Sequence, residues 1–201
     1  MRRVVHPIET ESYQILRSRV DTAELPALCR AAVERIVHTT ADPTWVGDVV
    51  AEESALSAGV TALRAGVPVV TDVRMVAAGI TAHETVIALD LPGVAELASE
   101  ADLTRSAAGI RLAARHWPAG AVWAIGNAPT ALAELVRLTV AGAVRPALVV
   151  GVPVGFVGAV ESKAALRTAG IAALSTRTER GGAAVAAAAV NALLYFEEQE
   201  N

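Results

Sequence analysis

One histidine lies where an evenly patterned helix gives way to a turn. The stretch ERIVHTTADPTW, residues 34–45, holds His38, two threonines and an Asp-Pro pair. Imidazole gains and loses a proton near neutral pH, so a histidine that leaves the core face of a helix is a candidate acid–base group. The alternative is a histidine that interacts with the dipole at a helix end, and the local pattern alone favours it. Arg35 lies one turn earlier, on roughly the same side.

Other basic side chains are candidates for binding an anionic ligand. Arg111 and Arg115 lie four residues apart in TRSAAGIRLAARHW, so they share one face of a predicted helix. Lys163 follows the loop VGFVGAVES near the start of another predicted helix. Each cation alone is typical of a solvated surface. Facing one crevice, these side chains would bind several carboxylates together.

The glycine-rich loops and the histidines do not match common cofactor motifs. GNAPTAL is not GxGxxG, and in GVPVGFVGAVESK the lysine comes too late for GxxxxGK[ST] and Ala164 replaces the hydroxyl. The four histidines form no HxxxH or HxH pair. The single cysteine, Cys29, excludes an intrachain disulfide and fits a reducing compartment. We therefore expect neither a standard nucleotide site nor a metal centre.

Composition and charge indicate one domain without nucleic-acid or membrane partners. The 201 residues are 53% hydrophobic but 3% aromatic, so closely packed Ala, Val, Leu and Ile must form the core. A net charge of −4 offers no attraction to nucleic acid or anionic membranes. Uncharged stretches are shorter than the ~18 residues of a membrane span, and no apolar segment follows the basic start. We assign residues 1–201 to a single, cytoplasmic domain.

The hydrophobic pattern changes after the first third of the chain. Helical spacing predicts helices in PIETESYQILRSRV, LPALCRAAVERIVH and DVVAEESALSAGVTALRAG, the last of which stops at Gly66. From residue 67, short apolar runs alternate with helical segments; the runs are VPVVTD, TVIALD, AVWAIG, ALVVGV and GIAALS. This predicts an α/β fold with a helical N-terminal third and a mainly parallel sheet of about five strands, covered by helices on both faces.

A parallel sheet also predicts where a ligand binds. In such sheets the ligand crevice lies outside the carboxyl ends of the strands, where the strand-to-helix loops gather. The loops that follow the predicted strands are TDVRMVAAGIT, IGNAPTAL and VGVPVGFVGAVESK. We expect the site beside these loops.

Six segments, in order along nearly the whole chain, match a known family. They are PIETESYQIL, ERIVHTTADP, VPVVTDVRMVAAGIT, IGNAPTALAEL, ALVVGVPVGFVGAVESKAAL and GGAAVAAAAVNALL. The sequence resembles the precorrin-8X methylmutase (precorrin isomerase) family of cobalamin biosynthesis, and IGNAPTAL followed by GVPVGFVGAVESK is the most specific pair. The resemblance implies that a methyl group moves from C-11 to C-12 of precorrin-8X, which gives hydrogenobyrinate without redox change or an added cofactor.

The resemblance also implies roles for individual residues. The family's essential histidine matches His38, which would move a proton on or off the macrocycle; this outweighs the preference from local pattern. The substrate is a wide ring with carboxylates on its rim, so it needs small apolar walls and hydrogen-bond donors. The implied substrate-binding residues are Ser12, Arg35, Thr81, Arg111 and Lys163. The family further implies a homodimer with sites near the subunit interface, acting on precorrin-8X or its cobalt form.

One segment departs from the family pattern. A basic residue, two glycines and a serine are expected near the C-terminus, where residues 178–184 read TERGGAA. Glu179 adds a negative charge and Ala183 lacks the hydroxyl, which would change carboxylate recognition if this turn faces the ring. The departure motivates a second hypothesis, a non-catalytic tetrapyrrole-binding or carrier protein. A third, a nucleotide-dependent enzyme, follows from the α/β rhythm alone.

Overall fold

Helices occupy most of the chain, and a six-stranded sheet runs through its centre. The computed structural model describes residues 6–197. The α-helices in this range are α1 (Pro7–Arg19), α2 (Ala27–Thr40), α3 (Glu53–Arg64), α4 (Arg74–Gly79), α5 (Val94–Glu100), α6 (Arg105–His116), α7 (Pro129–Val140), α8 (Ala159–Thr168) and α9 (Ala183–Leu194). The strands are β1 (Val49–Ala51), β2 (Val69–Thr71), β3 (Thr85–Ile87), β4 (Val122–Ile125), β5 (Leu148–Gly151) and β6 (Ala173–Thr176). Between residues 6 and 197, no helix has the length and apolar character needed to cross a membrane.

The sheet has the order β1-β6-β5-β4-β2-β3, and all pairs except β1–β6 are parallel. Each of the five apolar runs singled out in the sequence contains one strand, which confirms the predicted alternation. The prediction was wrong about residues 49–51, which it placed in a helix. Val49 and Val50 instead pair with Thr176 and Ser175 of β6. The pairing of β1 with β6 thus outweighs the local helical pattern, and α3 begins only at Glu53.

The two faces of the sheet carry separate hydrophobic cores, as predicted for helices on both sides. Val122 and Ala124 of β4 belong to one core, whereas Trp123 and Ile125 belong to the other. Helices α3 and α9 cover the first face, with α2 and then α1 outside them. Helices α6, α7 and α8 cover the second face. Residues on α2 and on α6 therefore lie on opposite sides of the sheet.

Small residues set the spacing of the first face. Helix α9 reads AAVAAAAVNALL, and residues 185–193 along it are all buried. Alanine side chains let α2 pack closely on α9, which fixes the height of α2 above the sheet. Helix α1 packs more loosely, because Leu16 is buried whereas Ile8 and Ile15 remain exposed.

The loops at the carboxyl ends of the strands meet, as the parallel sheet predicts. Asp72, directly after β2, is fully buried and accepts hydrogen bonds of 2.8–3.1 Å from the backbone N–H groups of Gly126, Asn127 and Ala128. Burial raises the pKa of Asp72, and these N–H groups act against that rise. Farther along this edge, the N–H of Gly155 donates to the Glu179 carbonyl. Hydrogen bonds thus connect the loops along this edge of the sheet.

Candidate active site

His38 lies in the last turn of α2, half-buried, and contacts α1 on two sides. The hydroxyl of Ser12 is 2.9 Å from its Nδ1 atom. The ring of Tyr13 stacks on the imidazole, with centroids 4.8 Å apart and planes 10° from parallel. One ring nitrogen is thereby engaged by a hydroxyl and one ring face is covered. This geometry fixes the imidazole, as an acid–base group requires.

A small cavity of about 110 Å³ opens beside the imidazole. Helix α1 and the end of α2 form its wall, through Ser12, Ile15, Leu16, Arg19, Val37, His38, Ala41 and Pro43. Ala41 adopts a left-handed conformation, φ 53°, which ends α2 and turns the chain into Asp42 and Pro43. The hydroxyls of Thr39 and Thr40 donate to backbone carbonyls one turn earlier, so they belong to the helix end.

Arg35 lies one turn before His38 and binds α1 as well. Its Nη1 atom donates to Oε1 of Glu9 at 3.0 Å. Arg35 and Tyr13 line a second, larger cleft of about 440 Å³ between α1, α2 and the end of α9. The structure therefore brings together three of the predicted residues, Ser12, Arg35 and His38.

Thr81 lies elsewhere, beyond the end of α4. It is exposed, and its hydroxyl is 3.0 Å from the hydroxyl of Tyr195, which follows α9. Neither residue lines the cavity beside His38, but Tyr195 lines the larger cleft together with Arg35.

Arg111 lies on the opposite face of the sheet from His38. Its Nε atom donates at 2.6 Å to Glu134 of α7, and the same carboxylate accepts two bonds of 2.8 Å from Arg137. Burial raises the pKa of Glu134, but the two guanidinium groups outweigh it and lower the pKa below its usual value. This cluster joins α6 to α7.

Lys163 is fully buried in the middle of α8. Its ammonium donates to the Thr176 hydroxyl at 2.8 Å, to the Arg180 carbonyl at 2.9 Å and to the Thr178 carbonyl. These bonds use all three donors of an ammonium group. Burial lowers the pKa of Lys163 to about 8. In the structure, Lys163 holds the segment that follows β6.

The TERGGAA segment begins the last helix and lies against the loop after β5. Ala183 is the first residue of α9, and the N–H of Gly182 donates to the Val152 carbonyl. Glu179 is exposed. The basic residue of this segment, Arg180, reaches the turn that follows α2, a contact that the sequence did not predict.

Two residues beside His38 were missed from the sequence. Tyr13 adjoins Ser12, and Arg19 lies seven residues after Ser12, which is two helical turns along the same side. Their positions relative to Ser12 in the sequence indicate that both residues lie near it on α1. Within residues 6–197, no group of three or more His, Cys, Asp or Glu side chains is placed to hold a metal ion.

The fold and this cleft define an α/β enzyme with one histidine held between two helices. Residues 7–196 match the family described as CbiC, precorrin-8X methylmutase. The chain is 42% identical to a cobalt-precorrin-8 methylmutase of Methanothermobacter thermautotrophicus, over 97% of this chain and 95% of that protein. It is 41% identical to a precorrin-8X methylmutase of Pseudomonas aeruginosa, over 95% of both chains.

A solved structure agrees with these sequence relatives. The crystal structure of precorrin-8x methyl mutase from Thermus thermophilus superposes with a TM-score of 0.85 at 34% identity, covering 93% of each chain. The chain belongs to the precorrin-8X methylmutase family, and is an isomerase of the methylmutase type.

Proposed function

We propose that this protein moves a methyl group from C-11 to C-12 of precorrin-8X to give hydrogenobyrinate, with His38 as proton donor and acceptor. The observation that carries the proposal is the placement of His38, which is held by Ser12 and Tyr13 at the edge of a cavity. Family membership supplies the reaction, and this placement supplies the acid–base group.

The geometry suits proton transfer at one ring nitrogen. Ser12 engages Nδ1, and no residue in the described range hydrogen-bonds to the other nitrogen, Nε2. Nε2 is therefore the atom that we propose exchanges a proton with the macrocycle. Protonation makes the conjugated ring more electron-poor and lowers the barrier to methyl migration. Positioned acid–base catalysis of this kind contributes about 10²- to 10⁴-fold.

We propose that Ser12 and Arg35 also contact the substrate. Both lie on the face of the sheet that holds His38, and Arg35 lines the larger cleft, where its guanidinium suits a rim carboxylate. A substrate role for Thr81, Arg111 and Lys163 stays a prediction. Two of these residues have contacts that favour a structural role. Lys163 donates to the Thr176 hydroxyl and to two backbone carbonyls, and Nε of Arg111 donates to Glu134 on the face of the sheet opposite His38.

The relatives carry both substrate names, cobalt-precorrin-8 and precorrin-8X. We propose that the substrate is the precorrin-8X macrocycle in one of these two forms. The reaction takes place in the cytoplasm, a proposal with which the buried free thiol of Cys29 agrees.

We propose that the protein is a homodimer. Apolar side chains are exposed on the loop after β5, where Phe156 is 97% and Val157 is 86% exposed, and Met75 is exposed after β2. Adjacent exposed apolar side chains such as Phe156 and Val157 favour a covering partner. We expect light scattering to give twice the chain mass for the wild type. A Phe156→Ser/Val157→Ser variant that keeps its fold is expected to show a larger monomer fraction; a monomeric wild type contradicts the proposal.

The activity is tested by mixing purified protein with precorrin-8X and recording absorption spectra, because the methyl shift changes the chromophore. We expect conversion by the wild type, and a rate lower by about 10²- to 10⁴-fold for His38→Ala. His116→Ala is the matched control, since His116 lies on α6 and is expected to leave the rate unchanged. Running metal-free and cobalt substrates in parallel identifies the physiological form.

Two results would overturn the proposal. Equal rates for the wild type and His38→Ala remove His38 from the chemistry. Tight binding of hydrogenobyrinate, with neither substrate form converted, supports the alternative of a non-catalytic tetrapyrrole carrier.

A further inference from the structure

Arg180 holds the turn that follows α2. Its guanidinium donates to Oδ2 of Asp42 and, at 2.8 Å, to the hydroxyl of Thr44. The same group lies over the Trp45 ring, with Cζ 4.0 Å from the centroid. Asp42 follows His38 by four residues. Its two neighbours in sequence, Ala41 and Pro43, line the cavity beside the imidazole. Three contacts from one side chain thus fix the segment that follows the end of α2.

The backbone that carries Arg180 is itself fixed by Lys163. The carbonyl of Arg180 accepts one hydrogen bond from the Lys163 ammonium at 2.9 Å and another from the Thr176 hydroxyl at 2.8 Å. Because Lys163 is fully buried in α8, this anchor belongs to the core. These two hydrogen bonds therefore fix the direction in which the Arg180 side chain leaves the backbone.

Asp48 and a glycine fix the rest of this loop. The buried carboxylate of Asp48 accepts from the N–H groups of Arg177 and Thr178, at 2.8 and 2.9 Å, and from the Thr178 hydroxyl at 2.7 Å. At Gly181, an added Cβ would lie 2.1 Å from the Val152 carbonyl oxygen, so a larger residue does not fit. These contacts hold the loop in the conformation that directs Arg180 to the turn after α2.

We infer that Arg180 is a positioning residue for His38, a role that rests on the proposed function. The last turn of α2 meets a left-handed residue, Ala41, and the chain beyond it is tied down by the Arg180 contacts with Asp42 and Thr44. Loss of these contacts lets the end of α2 shift, and a displacement of about 1 Å near an acid–base group can cost 10²-fold in rate. Both members of the Arg180–Asp42 pair are about one-third exposed, so their contribution to overall stability is small.

The charges suit a permanent contact at neutral pH. Hydrogen bonds from the side chain and the backbone of Thr44, together with the charge of Arg180, lower the pKa of Asp42. Asp42 is therefore ionised at neutral pH, where the guanidinium of Arg180 is also charged, and the pair is expected to act as one unit.

Steady-state kinetics on precorrin-8X test this role in a double-mutant cycle. We expect Arg180→Ala and Asp42→Ala each to lower kcat between about 10- and 100-fold with KM changed less than about twofold. The double variant is expected to lose far less than the product of the single losses, because both single variants remove the Arg180–Asp42 contact. Arg180→Lys should recover part of kcat, since it keeps the charge but not the forked donors. Arg177→Ala, an exposed arginine of the same loop, is the control and should keep the wild-type kcat.

A readout without substrate separates this role from the proposed activity. In NMR spectra of ¹³C-histidine-labelled protein, we expect the His38 ring signals to move in Arg180→Ala and in Asp42→Asn, while the signals of His83 and His116 stay in place. Unmoved His38 signals, an unchanged kcat in Arg180→Ala, or rate losses that multiply in the double variant would each overturn the positioning role. If the wild type converts no substrate, the proposed function fails, and the NMR comparison still decides whether Arg180 positions His38.

Discussion

Two arginine–glutamate pairs, each joining neighbouring helices, lie on opposite faces of the sheet. Arg35 of α2 pairs with Glu9 of α1 at 3.0 Å, beside the candidate cleft. Arg111 of α6 pairs with Glu134 of α7 at 2.6 Å, and the same carboxylate also binds Arg137. The family resemblance implied a substrate role for both Arg35 and Arg111.

The surroundings of the two pairs differ. Glu134 is 6% exposed and lies between two guanidinium groups, so its contacts serve cohesion between α6 and α7. Glu9 and Arg35 both line a cleft of about 440 Å³. The two arginines thus lie on different surfaces, and residue type alone does not tell which of them contacts the substrate.

The largest expected effect within this comparison is on stability. Glu134→Gln keeps the side-chain shape but removes the negative charge that two arginines share. We expect the free energy of unfolding to fall by about 1–3 kcal/mol, because two guanidinium groups lose a buried, charged acceptor. Urea unfolding at pH 7 measures the loss. The matched variant Glu9→Gln should lose less, because this carboxylate is more exposed. Equal losses would contradict the distinction between the two pairs.

The two arginines are expected to separate in their kinetics. Arg35→Ala should raise KM about tenfold, since a charge-assisted hydrogen bond to a carboxylate contributes on the order of 1.5–3 kcal/mol. Arg111→Ala should lower stability and leave KM within about twofold of the wild type, which is the range for a group without ligand contact. Steady-state measurements on precorrin-8X give both values. An equally large rise in KM for Arg111→Ala would support its predicted substrate role and contradict the distinction between the two arginines.

The smallest effect is the pH dependence of the Glu134 contribution. Because the folded-state pKa of this carboxyl lies below its ordinary 4.5, the unfolded state takes up the proton first as the pH falls. The contribution is full above the unfolded pKa and is lost as the pH falls through the folded pKa. The difference in unfolding free energy between the wild type and Glu134→Gln should stay constant from about pH 7 to about pH 5.5, and shrink in more acidic buffer. A difference that grows on acidification would exclude the ion cluster as its source.

The sequence predicted those parts of the fold that periodicity encodes. Five apolar runs became five strands, and the helix predicted in LPALCRAAVERIVH is α2, where Leu28, Ala32 and Ile36 are buried. The strand β1 escaped prediction because it depends on pairing with β6, more than 120 residues away in sequence. The exposure of Ile8 and Ile15 on α1 was equally invisible to a local pattern.

The candidate site was predictable where residues are close in sequence or belong to a family segment. His38, Ser12 and Arg35 meet between α1 and α2, and their roles towards the substrate stay a prediction. The depth of Lys163 and the reach of Arg180 across to Asp42 depend on how α8 and β6 pack. Such contacts follow from tertiary geometry, which the spacing of residues along one helix does not contain.

The alanine-rich helix α9 has a consequence for how this protein tolerates sequence change. Most of its side chains are alanine, valine or leucine and have no acid–base group, yet α2 rests on them. Exchanging a buried alanine of α9 for valine adds volume in a packed layer, and the helices that contact α9, with α2 and its imidazole among them, are then expected to shift. The buried alanines of α9 therefore restrict sequence change as the reactive residues do, because larger side chains there would displace the site.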